Sequence, residues 1–172
     1  PLGDKASLKE RPGWLRLYGQ ESLNSLHHVS LLAVRQRETY AMAELSMEFE
    51  PKRYEQLAGM AYMYDAMNFY LFGKSRSETG ETVLRIVGSD TGVCKYLCED
   101  IPIPQKGVVT LRAKTDSEGA WVTFSYCLDD GIWRQVGDRY TTEILTDEHC
   151  RGFTGAHFGM YCHDMSGAGN YA

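Results

Sequence analysis

Between Thr39 and Phe49 the apolar residues Ala41, Ala43, Leu45, Met47 and Phe49 occupy every second position, with Glu44, Ser46 and Glu48 between them. A period of two puts the two sets on opposite faces of a strand, one for a core and one for water. Pro51 ends the run, since proline cannot donate to a central ladder. Helical periodicity is nearly absent elsewhere. Short alternating segments recur at residues 57–64, 69–73, 82–87, 108–114 and 121–128, with briefer ones at 14–18 and 31–35. About ten to fourteen strands fit this spacing. Residues 65–68 and Asp129-Asp130-Gly131 read as tight turns, and only residues 142–148 read as a helical turn, with Thr142 or Thr146 as its cap. So many antiparallel strands, each with an apolar face to bury, must close into a barrel or stack as layers. The predicted fold class is all-β, an antiparallel two-sheet β-sandwich of the jelly-roll kind.

At 172 residues the chain suits one domain, and its 43% hydrophobic and 24% charged content is that of a globular protein. A formal charge of -5 argues against nucleic acid, which needs a basic face, and favours a neutral ligand. No apolar run approaches the roughly 20 residues of a membrane span, so no membrane partner is expected. Five cysteines (Cys94, Cys98, Cys127, Cys150, Cys162) include no C-x-x-C pair and are odd in number, which favours reduced thiols and a cytoplasmic setting. The chain does not begin with methionine, so a lost leader and secretion stay open.

Aromatic residues cluster at Tyr62, Tyr64, Phe69, Tyr70 and Phe72 around one predicted hairpin. Alternation puts Tyr62 and Tyr64 on one face and Tyr70 with Phe72 on one face of the next strand, so the hairpin is a candidate platform for stacking sugar rings. Trp121 and Trp133 are further candidates. Glu48 and Glu50 form the best local carboxylate pair, about 7 Å apart along a strand. Nothing around them in sequence raises a pKa, however, and exposed strand-end glutamates are the commoner case. His27 and His28 are adjacent and lack a second ligand cluster, which suits a loop better than a metal site. No nucleophile elbow occurs. Gly167-Ala168-Gly169-Asn170-Tyr171-Ala172 matches a dinucleotide fingerprint only formally, having no helix after it. No catalytic residue, metal site or cofactor is predicted.

Two phrases sharpen this picture: Arg11-Pro-Gly-Trp-Leu-Arg-Leu-Tyr-Gly19 and Gly152-Phe-Thr-Gly-Ala-His-Phe-Gly-Met-Tyr-Cys-His-Asp164. Between them, in order, stand Leu31-Leu-Ala-Val-Arg-Gln36, Met47-Glu-Phe-Glu-Pro51, Leu57-Ala-Gly-Met-Ala-Tyr-Met-Tyr-Asp65, Asn68-Phe-Tyr70 and Phe124-Ser-Tyr-Cys-Leu-Asp-Asp-Gly131 with Trp133. Together they resemble the C-terminal concanavalin-A-like module of family-43 β-xylosidases, classed as carbohydrate-binding family 91, from about Arg11 to the end. The resemblance implies a non-catalytic module that binds xylan or xylo-oligosaccharides, the catalytic acids lying on a separate N-terminal β-propeller. The alternative is a structural module that packs on the propeller and caps its active site or mediates homo-oligomers without binding sugar alone. It further implies that Phe153 sits on a loop that helps close the sugar pocket. The expected ligand contacts are therefore Tyr62, Tyr64, Tyr70, Trp133 and Phe153. Residues 1–10 are expected to be an N-terminal extension and residues 11–172 the module. The family usually continues into a final strand, which this sequence lacks, and that loss would expose ladder groups and apolar surface.

Overall fold

A computed structural model describes residues 3–172. Alternation becomes thirteen strands among those residues: β1 (Ala6–Ser7), β2 (Arg16–Leu17), β3 (Ser30–Arg35), β4 (Met42–Met47), β5 (Gln56–Met63), β6 (Phe69–Arg76), β7 (Thr82–Asp90), β8 (Val93–Tyr96), β9 (Ile101–Pro102), β10 (Val109–Thr115), β11 (Trp121–Cys127), β12 (Trp133–Thr141) and β13 (His157–Asp164). One short helix, α1 (Asp147–Cys150), precedes the last strand.

All ladders are antiparallel. The larger sheet runs β3-β13-β5-β6-β7-β8, with β9 also on β7, and the smaller runs β12-β11-β10-β4. Their facing sides form the main core: Met60, Tyr62, Phe72, Leu84 and Ile86 from one sheet meet Met47, Leu111, Val122, Phe124 and Val136 from the other. This is the two-sheet sandwich that the period-two pattern predicted.

The larger sheet is also covered on its outer side. Leu23, in the connection between β2 and β3, packs there with Leu57, Ala61, Phe69, Leu71 and Tyr161. As a result, seven of the eight residues of β5 are buried, and likewise of β6, so neither strand has a wet face.

The first described residues are tied into the fold. Ala6 and Ser7 pair with Leu17 and Arg16, and Ala6 is buried in the main core, because the short β2 leaves a ladder edge that β1 fills. Pro1 and Leu2 lie outside the described residues. Between β2 and the open edge of β4 runs a cleft of about 650 Å³, bounded by Trp14–Leu17 on one side and Leu45–Phe49 on the other, with Ala58 and Met160 also in its wall. Ala172 lies in this cleft and exchanges two hydrogen bonds with Leu17, at 2.8 and 2.9 Å.

Candidate functional site

The aromatic hairpin folds inward. Tyr62 is 2% exposed, stacks on Phe158 with ring centroids 4.2 Å apart, and donates its hydroxyl to Gln36 Oε1 at 2.7 Å. Tyr70 is 4% exposed, lies among Phe124 and Tyr140, and donates to the Thr141 carbonyl at 2.7 Å. Burial drives the Tyr62 hydroxyl far up and the Tyr70 hydroxyl to about 12, so both rings stay neutral. Tyr64 is buried as well. These three tyrosines therefore offer no ring face to a sugar. The predicted platform is part of the core, because rings of this size between two sheets contribute more when removed from water than left in it.

The other two predicted contacts reach the surface. Trp133 lies on the outer side of the smaller sheet, where the Arg112 guanidinium covers its ring at 3.4 Å while also pairing with Glu44. Phe153 is 92% exposed.

Phe153 sits on a short loop that the fold holds tightly. Thr146 caps α1 by accepting the His149 N–H at 3.2 Å, and His149 Nε2 meets Asp90 Oδ1 at 2.8 Å. Arg151 ends the helix in a left-handed conformation, φ 55°, and the Gly152 N–H returns to the Asp147 carbonyl at 3.1 Å. Beneath the loop, the Tyr64 hydroxyl donates to Asp147 Oδ1 at 2.6 Å and accepts the Thr154 N–H at 3.2 Å. The same carboxylate oxygen accepts the Gly155 N–H at 3.2 Å. Hydrogen bonds from Tyr64 and then Gly155 hold the Asp147 carboxyl below the usual carboxylate range, so it is ionised at neutral pH. Gly152 rides directly on the Tyr64 phenol, where any side chain would collide with the ring.

The sequence reading selected Tyr64 for its ring, but its hydroxyl anchors the loop. Asp147 read only as a turn or helix-cap residue and Gly152 only as part of a phrase, and Arg151 was not singled out. Their one legible signal was the Thr146 cap followed by two glycines bracketing Phe153.

The edge strand β3 lies beside this loop, since the Gln36 N–H donates to the Ala156 carbonyl and Arg35 packs against Gly155. That edge leaves Leu32 44% and Val34 71% exposed. Phe153 is thus one of several uncovered apolar side chains at this end of the sandwich.

The other candidates are spoken for. Glu48 accepts two hydrogen bonds from Arg11, at 2.7 and 3.1 Å, which lower its pKa and leave it without a proton to give. His27 and His28 are exposed in the connection between β2 and β3. No group of three or more His, Cys, Asp or Glu able to hold a metal occurs among the described residues.

Comparison with known proteins gives a consistent picture. A family model described as the β-xylosidase C-terminal concanavalin A-like domain matches residues 1–172. The chain is 34% identical over 171 residues to a protein of Escherichia coli (strain K12) assigned as a β-xylosidase, covering 96% of this chain and 32% of that protein. It is 30% identical over 176 residues to a xylan 1,3-β-xylosidase of Vibrio sp, covering all of this chain and 32% of that one. Among solved structures, a xylan β-1,4-xylosidase from Bacillus halodurans C-125 superposes with a TM-score of 0.91 at 28% identity, over 96% of this chain and 32% of that one. The chain thus spans about a third of the length of these relatives. With a two-sheet sandwich matched over its whole length, the chain belongs to the β-xylosidase C-terminal concanavalin A-like domain family.

Proposed function

We propose that the chain serves as the non-catalytic C-terminal module of a β-xylosidase, packing on a catalytic β-propeller and presenting Phe153 at the mouth of its sugar-binding cleft. One observation carries this reading: a phenylalanine 92% exposed at the tip of a loop whose backbone is fixed by Tyr64 and Asp147. A fixed loop presents its side chain at little entropic cost on docking. Leu32 and Val34 on the neighbouring edge supply further apolar surface for a partner domain to cover. The similarity to xylosidases about three times as long supports a catalytic domain in the same polypeptide and a xylan-type substrate.

The test is kinetic. In the full-length enzyme, Phe153→Ala lowers kcat/KM for xylobiose by about tenfold or more, a loss of ~1.4 kcal/mol of transition-state binding. The thermal unfolding of the module itself stays unchanged. Wild-type kinetics in the variant would sink the proposal.

A second reading, autonomous binding of xylan or xylo-oligosaccharides, draws on Trp133 and Phe153, the exposed pair among the five predicted contacts. It requires heat on titrating xylohexaose into the isolated module.

A further inference from the structure

The outer side of the larger sheet carries a hollow that the Phe153 loop does not share. Register places Tyr161, Gly59, Gly73 and Arg85 side by side on β13, β5, β6 and β7. Neighbouring backbone and the Leu57 side chain close over the two glycines, so the open space lies beside Arg85 and Tyr161 rather than above Gly59 and Gly73. That space, a pocket of about 120 Å³, is bounded by Leu57, Leu71 and Ser75, with Tyr54 and Tyr96 at its rim, 57% and 67% exposed. For scale, a cavity of about 150 Å³ holds a benzene ring. This one is somewhat smaller and open at its tyrosine rim, so it takes a single six-membered ring in part, the rest of the ring lying against Tyr54 and Tyr96.

Its polar groups are few and aimed. Arg85 is 7% exposed and commits Nε and Nη2 to Asp100, at 3.1 and 2.5 Å, while Nη1 has only a long contact of 3.5 Å with the Tyr96 hydroxyl. The guanidinium charge is thus already neutralised, and one donor edge is left for a ligand. Across the hollow, the Tyr161 hydroxyl donates to the Glu21 carbonyl at 3.4 Å and meets His163 Nδ1 at 2.8 Å. The 2.8 Å contact engages Nδ1, while Nε2 has no protein partner among the described residues and is free to exchange a hydrogen bond with a ligand hydroxyl. Burial holds this imidazole neutral.

A compensated cation disfavours phosphate or carboxylate ligands, which require net positive charge. Two unengaged hydrogen-bonding nitrogens, Arg85 Nη1 and His163 Nε2, flanking an aromatic-rimmed, apolar hollow instead fit a ring that has hydroxyls, each both donor and acceptor, at its edge and C–H groups on its faces. We propose that this pocket is a subsite for one neutral pyranose unit, such as a xylosyl residue of a xylan-type chain, held between Arg85 and His163 and packed on Tyr54 and Tyr96. The choice of sugar rests on the xylosidase reading above; the pocket's location does not depend on Phe153.

Titration of the 172-residue chain with xylose and xylobiose, followed by amide and imidazole NMR, tests it. The expected result is saturable shifts at Gly73, Arg85 and Tyr96, with a dissociation constant of roughly millimolar order. The His163 Nε2 resonance should move as it exchanges a hydrogen bond with a sugar hydroxyl. Tyr96→Ala and Tyr54→Ala, both at exposed positions, should each weaken binding by about tenfold. Phe153→Ala should leave this titration as it was, which separates failure of the pocket from failure of the capping role. Absence of saturable shifts in the pocket, shifts confined to the Phe153 or Trp133 surfaces, or parent-like titration of both tyrosine variants would each overturn the assignment.

Discussion

Tyr64 donates its hydroxyl to Asp147 across a sequence gap of 83 residues, and this 2.6 Å bond joins the end of β5 to the loop that carries Phe153. A strand end and a surface loop thereby behave as one unit, because the same phenol oxygen and the same carboxylate oxygen also take the Thr154 and Gly155 amides.

Tyr64→Phe keeps the buried ring but removes the hub of that network. The Thr154 amide then loses its acceptor and Asp147 its phenol donor, which should destabilise the module by about 1–2 kcal/mol. Urea unfolding reads this directly. In the full-length enzyme the same variant should reproduce part of the Phe153→Ala loss, since the loop is no longer held in place. A variant as stable as the parent would show that the network contributes nothing.

His163 makes stability depend on pH. Burial pushes its imidazole down from 6.5 to about 4, with the nearby Asp164 charge opposing. Between those values the unfolded chain binds a proton that the folded chain refuses. The contribution is therefore complete above pH 6.5 and is lost as pH falls towards 4, amounting to about 3 kcal/mol at most. His163→Gln should flatten the slope over that window, measured as urea midpoints at fixed pH values. An equally steep slope in the variant would assign the effect to other groups.

Gly59 permits close approach of β5 to β6. A Cβ there would overlap the Phe72 carbonyl oxygen and lie 2.5 Å from the Gly73 Cα, both backbone atoms that cannot swing aside. Gly59→Ala should cost at least about 2 kcal/mol, and thermal melting or soluble yield will register it. A melting temperature within a degree or two of the parent would contradict the packing described.

The open edge of β4 should be visible in hydrogen exchange. The Thr115 N–H donates to the Ala41 carbonyl, and Ala43–Ala113, Leu45–Leu111 and Met47–Val109 follow in the same antiparallel register. In such a ladder bonded and non-bonded pairs alternate, so the Glu44 and Ser46 amides turn away from β10 towards the cleft beside β2. In the 172-residue chain these two should exchange much faster than Leu45 and Met47. Equal protection along the strand would mean that the edge is covered.

Along the chain itself, period-two hydrophobicity determined the architecture. The inward set Ala43, Leu45 and Met47 on β4 was legible from alternation alone, as was Phe49 just beyond it, because one side of that strand meets the core and the other meets water. The turn at residues 65–68 and the Thr146 cap were equally local, resting on side-chain bonds to backbone within three residues. β8 escaped notice because it is exposed throughout and carries no alternation, and β13 because its buried positions, Phe158, Tyr161, Cys162 and Asp164, do not alternate and include a carboxylate.

Tertiary structure alone decided where the tyrosines point. Alternation correctly paired Tyr62 with Tyr64 and Tyr70 with Phe72, but it cannot say which side of a strand is dry when both sides are. Tyr62, Tyr64, Tyr70 and Phe72 take the side that faces the smaller sheet, while the connection carrying Leu23 covers much of the opposite side, so a platform visible as an aromatic cluster in sequence becomes core. Phe153 was decided in the same way. A phenylalanine among glycines is ambiguous along the chain, and its exposure follows from Asp147 and Tyr64, residues 6 and 89 positions away, which hold the loop open by hydrogen bonds that no local pattern encodes.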